Sequence, residues 1–310
     1  MSVESSPLGA APPERLLRRA SKKLVELYLA RDLLAQLVAK ELKVRYKNST
    51  LGFLWSMLTP VLMTAVFAVI FTYVVRIPVA DFAAFFLSGY LLWQFFQNSC
   101  QGAIHSVVGN GDLVKKVYFP REVLPLSHVL SQLVHLLLAL LVISPYLVVT
   151  RGWGVVAYLP FTMLAIGLVA VFTSGVAMWF AGVNVVFRDL QELFIVIFQV
   201  WFYATPVLYP LALVGAGGIR GGPTIDWLAS ALQLNPMTWF VEVFRAPLYG
   251  QVREATPVTQ ALEGAGPVTS LAPGLPPMTG VALAAAWAIV VLVVGYLAFA
   301  RRARTFAKEV

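Results

Sequence analysis

Asp, Glu, Lys and Arg are absent from six long blocks of the chain: 48–75, 82–111, 123–150, 152–187, 193–219 and 264–300. A helix needs about 20 apolar residues to cross a bilayer. Each block is long enough, and the pattern predicts six spans at roughly 53–75, 82–106, 124–149, 157–183, 191–212 and 279–300. A seventh uncharged stretch, 227–241, is too short to span and is broken by Asn235-Pro236. It predicts a re-entrant or interfacial helix pair within a long outside segment, 213–278. Ahead of the first span, Asp32, Gln36, Lys40, Lys43 and Lys47 recur at helical spacing, with Leu33, Leu34, Leu37, Val38 and Leu42 on the other side. Residues 21–47 are therefore expected to form an amphipathic helix in the membrane interface. The alternative is a helix packed on a soluble domain. Residues 1–20 read as a flexible cytoplasmic tail, and 48–310 as one six-span membrane domain.

Composition supports this all-α integral membrane reading. The 310 residues are 59% hydrophobic and 12% charged, against about 25% charged in a soluble domain. The mean hydropathy is +0.78. A soluble enzyme and a disordered chain are both excluded. The net charge of +8 points to anionic lipid headgroups rather than nucleic acid. The single cysteine, Cys100, excludes an intrachain disulfide framework and a cysteine-based zinc cluster. The first 47 residues contain no apolar run of signal-peptide type, so the N-terminus is expected to be mature and cytoplasmic. With both termini inside, the inside segments carry 18 of the 23 basic residues, as the positive-inside rule demands.

Polar side chains inside a span need a reason. The second span carries Gln94, Gln97, Asn98, Gln101 and His105 on one helical face, with Tyr90 and Trp93 above it. The third carries His128, Ser131, Gln132 and His135 on one face. Amides that bond hydroxyls, beside rings that stack on pyranose faces, would suit a sugar-lined path. Hydrogen bonding between helices is the alternative for both stripes. His128 and His135 lack the further ligands a zinc site needs, and no metal is expected. No carboxylate pair lies in an uncharged block, and no lysine follows a glycine. Paired-acid chemistry and a phosphate-binding P-loop are thereby excluded.

Residues 43–60, Lys-Val-Arg-Tyr-Lys-Asn-Ser-Thr-Leu-Gly-Phe-Leu-Trp-Ser-Met-Leu-Thr-Pro, resemble the segment entering the first span of type 2 ABC exporter permeases, those for polysaccharides above all. Four further segments resemble the same family in the same order. They are Lys115 to Arg121 with Val123-Leu124-Pro125; Arg188-Asp189-Leu190 with Tyr203 to Tyr209; Asn235-Pro236-Met237 with Glu242 to Arg245; and Arg301-Arg302 with Phe306. The resemblance covers roughly residues 25–310. The Pro-rich stretch 251–277 is longer than the family pattern.

The resemblance implies a transport subunit without a catalytic site or cofactor of its own. Two copies would pair with two ABC ATPase subunits, which bind the ATP and Mg. The complex would move a lipid-linked glycan, such as O-antigen or teichoic acid, across the bacterial plasma membrane. Asp112, Leu113, Lys115, Lys116, Tyr118 and Phe119 are expected to form the ATPase-coupling segment, with Asp112 capping a short helix that Pro120 stops. Arg45 and Lys47 are expected at headgroup depth, on the anionic head of the lipid carrier. The translocation path is expected between the two copies. Its lining would come from Phe53, Trp55, Ser56 and Thr59; Tyr90, Gln94, Gln97 and Gln101; and Gln199, Tyr203 and Thr205. Phe53 and Trp55 lie about 200° apart on a helix, so at most one of them faces the path. Competing readings are a membrane glycosyl- or acyltransferase, and an exporter of a drug or small lipid. The first needs a carboxylate or histidine constellation at a membrane face, and the outside carboxylates Asp81, Asp226, Glu242, Glu254 and Glu263 are scattered.

Overall fold

A computed structural model describes residues 25–47, 53–77, 79–187, 190–215, 226–250, 273–303 and 306. Every regular element among them is helical. In chain order they are α1 (Arg31–Tyr46), α2 (Phe53–Val69), α3 (Phe82–Ser106), α4 (Gly111–Lys116), α5 (Val123–Arg151), α6 (Gly154–Ala157), α7 (Leu159–Asn184), α8 (Leu190–Tyr203), α9 (Leu211–Gly215), α10 (Asp226–Leu234), α11 (Pro236–Leu248) and α12 (Met278–Arg302). The tail 1–20, the start of the predicted 21–47 helix, Arg188-Asp189 and most of the Pro-rich stretch 251–277 lie outside the described residues.

Among the described residues, four helices are long and apolar enough to cross a membrane: 57–74, α5, α7 and α12. The other two predicted spans differ for separate reasons. α3 has the length, 25 residues, but its amides lower its hydropathy. α8 has only 14 residues, because Pro206 disfavours helix at the residue before it. The chain instead turns through 204–209 before α9. The stretch predicted to continue to residue 212 is therefore helix, turn, helix.

Local chemistry sets the ends. Asp81 adopts a left-handed backbone (φ 48°), and its side chain accepts the Ala84 N–H at 3.3 Å, starting α3. Gly152, at φ 84°, ends α5. Asn235 caps α11 by accepting the Met237 N–H at 3.0 Å, with Pro236 at the first helical position. The predicted break at Asn235-Pro236 thus separates α10 from α11. α2 ends in a π-helical turn, Ile70–Val74, closed by Val75 N–H on the Ile70 carbonyl at 2.8 Å.

α3, α7, α11 and α12 pack together, with α5 against α3 and α2 at the side. The core is aromatic: Phe85, Phe86, Trp93, Phe96, Phe172, Phe198, Phe240 and Phe244 are almost fully buried. α7 and α12 make the closest crossing. A Cβ on Gly295 would come within 2.0 Å of the Gly175 carbonyl oxygen, and one on Gly175 within 2.4 Å of the Val291 carbonyl oxygen. Small residues let helix backbones touch where lipid supplies no hydrophobic drive. A second cluster closes the end that bears α1 and α4. It joins Leu37 of α1 to Val107, Val114, Val123, Leu124, Met178, Phe299 and Phe306. α1 therefore rests its leucine face on the bundle itself and leaves Asp32, Gln36, Lys40 and Lys43 exposed.

Candidate functional site

α1, α3 and α5 enclose a polar cavity of ≈ 250 Å³. Helical spacing of four puts Glu41 and Arg45 of α1 on one face. Spacing of three brings Asn98 and Gln101 of α3 together, and His128, Ser131 and Gln132 of α5 complete the lining. Arg45 donates to the Gln132 side-chain oxygen at 3.2 Å. Glu41 lies 3.7 Å from Nδ1 of His128. Glu41 and Arg45 make no ion pair with each other, although their spacing permits one. Lys47 is exposed at the end of α1.

Arg45, expected on the lipid head, and Gln101, expected on the translocation path, come together at this cavity. Asn98 and His128 come from the two polar stripes of the second and third spans, and Glu41 is the one lining residue carrying a charge that the sequence did not mark out. The four-residue step from Glu41 to Arg45 was a readable signal. The contact with α3 and α5 was not, because it spans 87 residues of chain.

The rest of the α3 stripe divides. Gln97 accepts the indole N–H of Trp93 at 2.9 Å, so it is tied within its own helix. Tyr90 stacks on Phe86 (5.0 Å, 19°) and meets Phe202 edge-on. Gln94 is half-buried. Thr59, Gln199 and Tyr203 are exposed. Thr205 is fully buried; it donates to the Trp201 carbonyl at 2.8 Å and accepts from Asn235 at 3.0 Å. It serves the turn between α8 and α9 and faces no open path here. The side chains of Phe53, Trp55 and Ser56 lie outside the described residues.

The predicted coupling segment is a short helix followed by an extended strap. Asn110, not Asp112, stands at the N-cap; Asp112 lies in the first turn, where its charge favours the helix N-terminus. The helix ends at Lys116, before Pro120 can act, and Val117 is extended. Tyr118 and Phe119 therefore sit beyond the helix. Tyr118 is fully exposed at 102%, Phe119 half-buried. Lys115 and Lys116 are exposed, with Lys116 3.7 Å from Asp112. Leu113 packs on the α1–α12 cluster. Lys40 of α1 reaches Asn110 at 3.3 Å, so α1 and α4 share one surface.

At the opposite end, Arg245 of α11 is 2% exposed. It donates to Glu242 at 3.0 Å, to the Pro206 carbonyl at 2.9 Å and to the Val207 carbonyl at 3.4 Å. Its guanidinium lies 3.9 Å from the Phe85 ring centre. Burial lowers its pKa, and Glu242 opposes that shift. In the sequence Arg245 stands out only as the end of the Glu242 to Arg245 segment that carries the family resemblance. Among the described residues no group of three or more His, Cys, Asp or Glu side chains could hold a metal ion.

The ABC-2 type transporter family matches residues 32–249. The chain is 37% identical over 227 residues to the O-antigen export system permease protein RfbA of Myxococcus xanthus, covering 72% of this chain and 83% of that one. It is 37% identical to RfbA of Klebsiella pneumoniae over 57% of this chain and 69% of that one. The capsule polysaccharide export inner-membrane protein CtrC of Neisseria meningitidis serogroup A is 25% identical over 73% and 83%. The match runs from α1, through the polar cavity and α4, to the end of α11 and its buried Arg245, and so this multi-pass inner-membrane protein belongs to the ABC-2 type transporter family.

Proposed function

We propose that this chain is the membrane subunit of an ATP-driven exporter that carries a lipid-linked polysaccharide across the bacterial plasma membrane. The observation that carries this is its 37% identity, over most of both chains, to a permease of O-antigen export. Six spans run N-in and C-in, with α2, α3, α5, α7, α8 and α12 crossing the bilayer and α10 and α11 dipping in from outside. α1 and α4 then lie on the cytoplasmic face, where α4 and the exposed Tyr118 dock on the ATPase subunit that holds ATP and Mg. Two copies of the chain enclose the path, lined by α2, α3 and α8 through Thr59, Gln94, Gln199 and Tyr203. Arg45, with Lys47, meets the anionic head of the carrier lipid at the inner leaflet, where charge-assisted hydrogen bonds are worth about 1.5–3 kcal/mol each before desolvation.

Two measurements test the reading. Deleting the gene is expected to remove long-chain polysaccharide from the cell surface and to accumulate the lipid-linked form inside. An unaltered surface glycan overturns the function. Arg45→Gln with Lys47→Gln is expected to block export while the protein still inserts and co-purifies with its ATPase. Normal export by that variant overturns the headgroup role alone.

A further inference from the structure

We infer that the cavity between α1, α3 and α5 is a binding site for the sugar unit attached directly to the lipid anchor. The inference rests on the headgroup role proposed for Arg45 and specifies what lies next to that headgroup.

The lining decides the ligand class. Seven of its side chains are polar, and they mix a cation, Arg45, with a carboxylate, Glu41, a histidine, three amides and a hydroxyl. A bare anion that reached deep into the cavity would meet Glu41, and a bare cation would meet Arg45. An apolar group would strand every polar atom of the wall. A neutral polyhydroxylated ring fits each of them, because a hydroxyl both donates and accepts.

The bonding inside the cavity agrees. Among the described residues, the side chains of Asn98, Gln101 and Ser131 make no hydrogen bond. Helix-to-helix adhesion would have paired them across the gap. Glu41 and Arg45 do not pair with each other; each reaches α5 instead, Arg45 at Gln132 (3.2 Å) and Glu41 at His128 (3.7 Å). Asn98, Gln101 and Ser131 are left open between these two contacts, as for a guest whose hydroxyls displace exchangeable water. The size agrees too. At ≈ 250 Å³ the cavity falls just below the roughly 300 Å³ where drug-sized sites begin, a size that suits one sugar ring. A phosphate held by Arg45 at the cavity's edge leaves the attached ring beside Glu41, Asn98 and Gln101. The site would then read the chemistry common to every chain of a given glycan, its first sugar, whatever the length beyond it.

The experiment uses the purified permease–ATPase complex in lipid nanodiscs. Two probes compete against a fluorescent polyprenyl diphosphate: polyprenyl diphosphate itself, and the same lipid carrying one N-acetylhexosamine. The unsubstituted complex is expected to bind the glycosylated probe at least about tenfold tighter. Gln101→Leu is expected to bring the two affinities together. Ser131→Ala, a smaller change that a folded complex tolerates more readily, is expected to narrow the gap in part. Equal affinities in the unsubstituted complex overturn the sugar site and leave the Arg45 reading standing, as does full discrimination in Gln101→Leu. Failure of both probes to bind the unsubstituted complex, or undiminished binding of both by Arg45→Gln, overturns the headgroup reading and the sugar site with it.

Discussion

Arg245 shows what one buried cation does in an otherwise apolar bundle. It joins α11 to the turn after α8 through the Pro206 and Val207 carbonyls, and to α3 through Phe85. The room for it comes from Gly89, where a Cβ would stand 2.6 Å from its guanidinium nitrogen. Arg245→Met strips two carbonyls of their donor and leaves Glu242 alone. Breaking a buried pair costs about 3–5 kcal/mol, and the low end applies because the Glu242 side chain is 25% exposed. The melting temperature of the purified protein is expected to fall markedly, and Arg245→Lys to recover only part of it, since one ammonium cannot reproduce the planar fork. An unchanged melting curve in Arg245→Met would remove the lock from the account. The Glu242–Arg245 spacing of three was legible in the sequence; the carbonyl partners were not, since they stand 38 and 39 residues away.

Element boundaries were far more legible, because charge-free blocks mark long helices directly. α3 follows the predicted 82–106 residue for residue, and α5, α7 and α12 each lie within two residues of prediction at both ends. The misses came from proline and from caps. Pro206 cuts α8 short, and Asn110 takes the cap position that Asp112 was expected to hold. That second difference matters for coupling. With the helix ending at Lys116, Tyr118 is carried on an extended strap and stands clear of the surface. An exposed aromatic beside charges is a common anchor for a partner's cleft. Single cysteines at positions 113–119 are expected to crosslink to the ATPase subunit, most strongly at 118. Tyr118→Ala is expected to weaken co-purification with the ATPase by about tenfold, an ordinary hot-spot loss. Crosslinks that reach lipid alone would show the strap to be a membrane anchor.

Over the whole molecule, apolar side chains are left uncovered along α2 and α8. Val61, Leu62, Val66, Val69 and Tyr73 on the first, and Val196, Val200 and Tyr203 on the second, are each more than half exposed. Lipid or a second copy of the chain must cover these faces, and a path between two copies predicts a division among them. Single cysteines replacing Thr59, Gln199 and Tyr203 are expected to react with a water-soluble reagent during turnover, whereas cysteines at the buried Thr205 and at Gln97 stay protected. Absence of labelling at Thr59, Gln199 and Tyr203 during turnover would remove the path from α2 and α8. The sequence displayed the residue types of such a path but not which of them pair off internally, since that depends on how α3 meets its neighbours. The α7–α12 crossing bears on biogenesis as well. Gly175 and Gly295, which bring the two backbones into contact, are 120 positions apart in the numbering. At roughly 5–20 residues per second of synthesis, α7 stands in the membrane for about 6–24 s before its partner emerges. During that interval a backbone groove made for another helix is open to lipid or to the insertion machinery. Any truncation that removes α12 leaves that groove permanently unfilled, so quality control has a defined surface by which to recognise an unfinished chain.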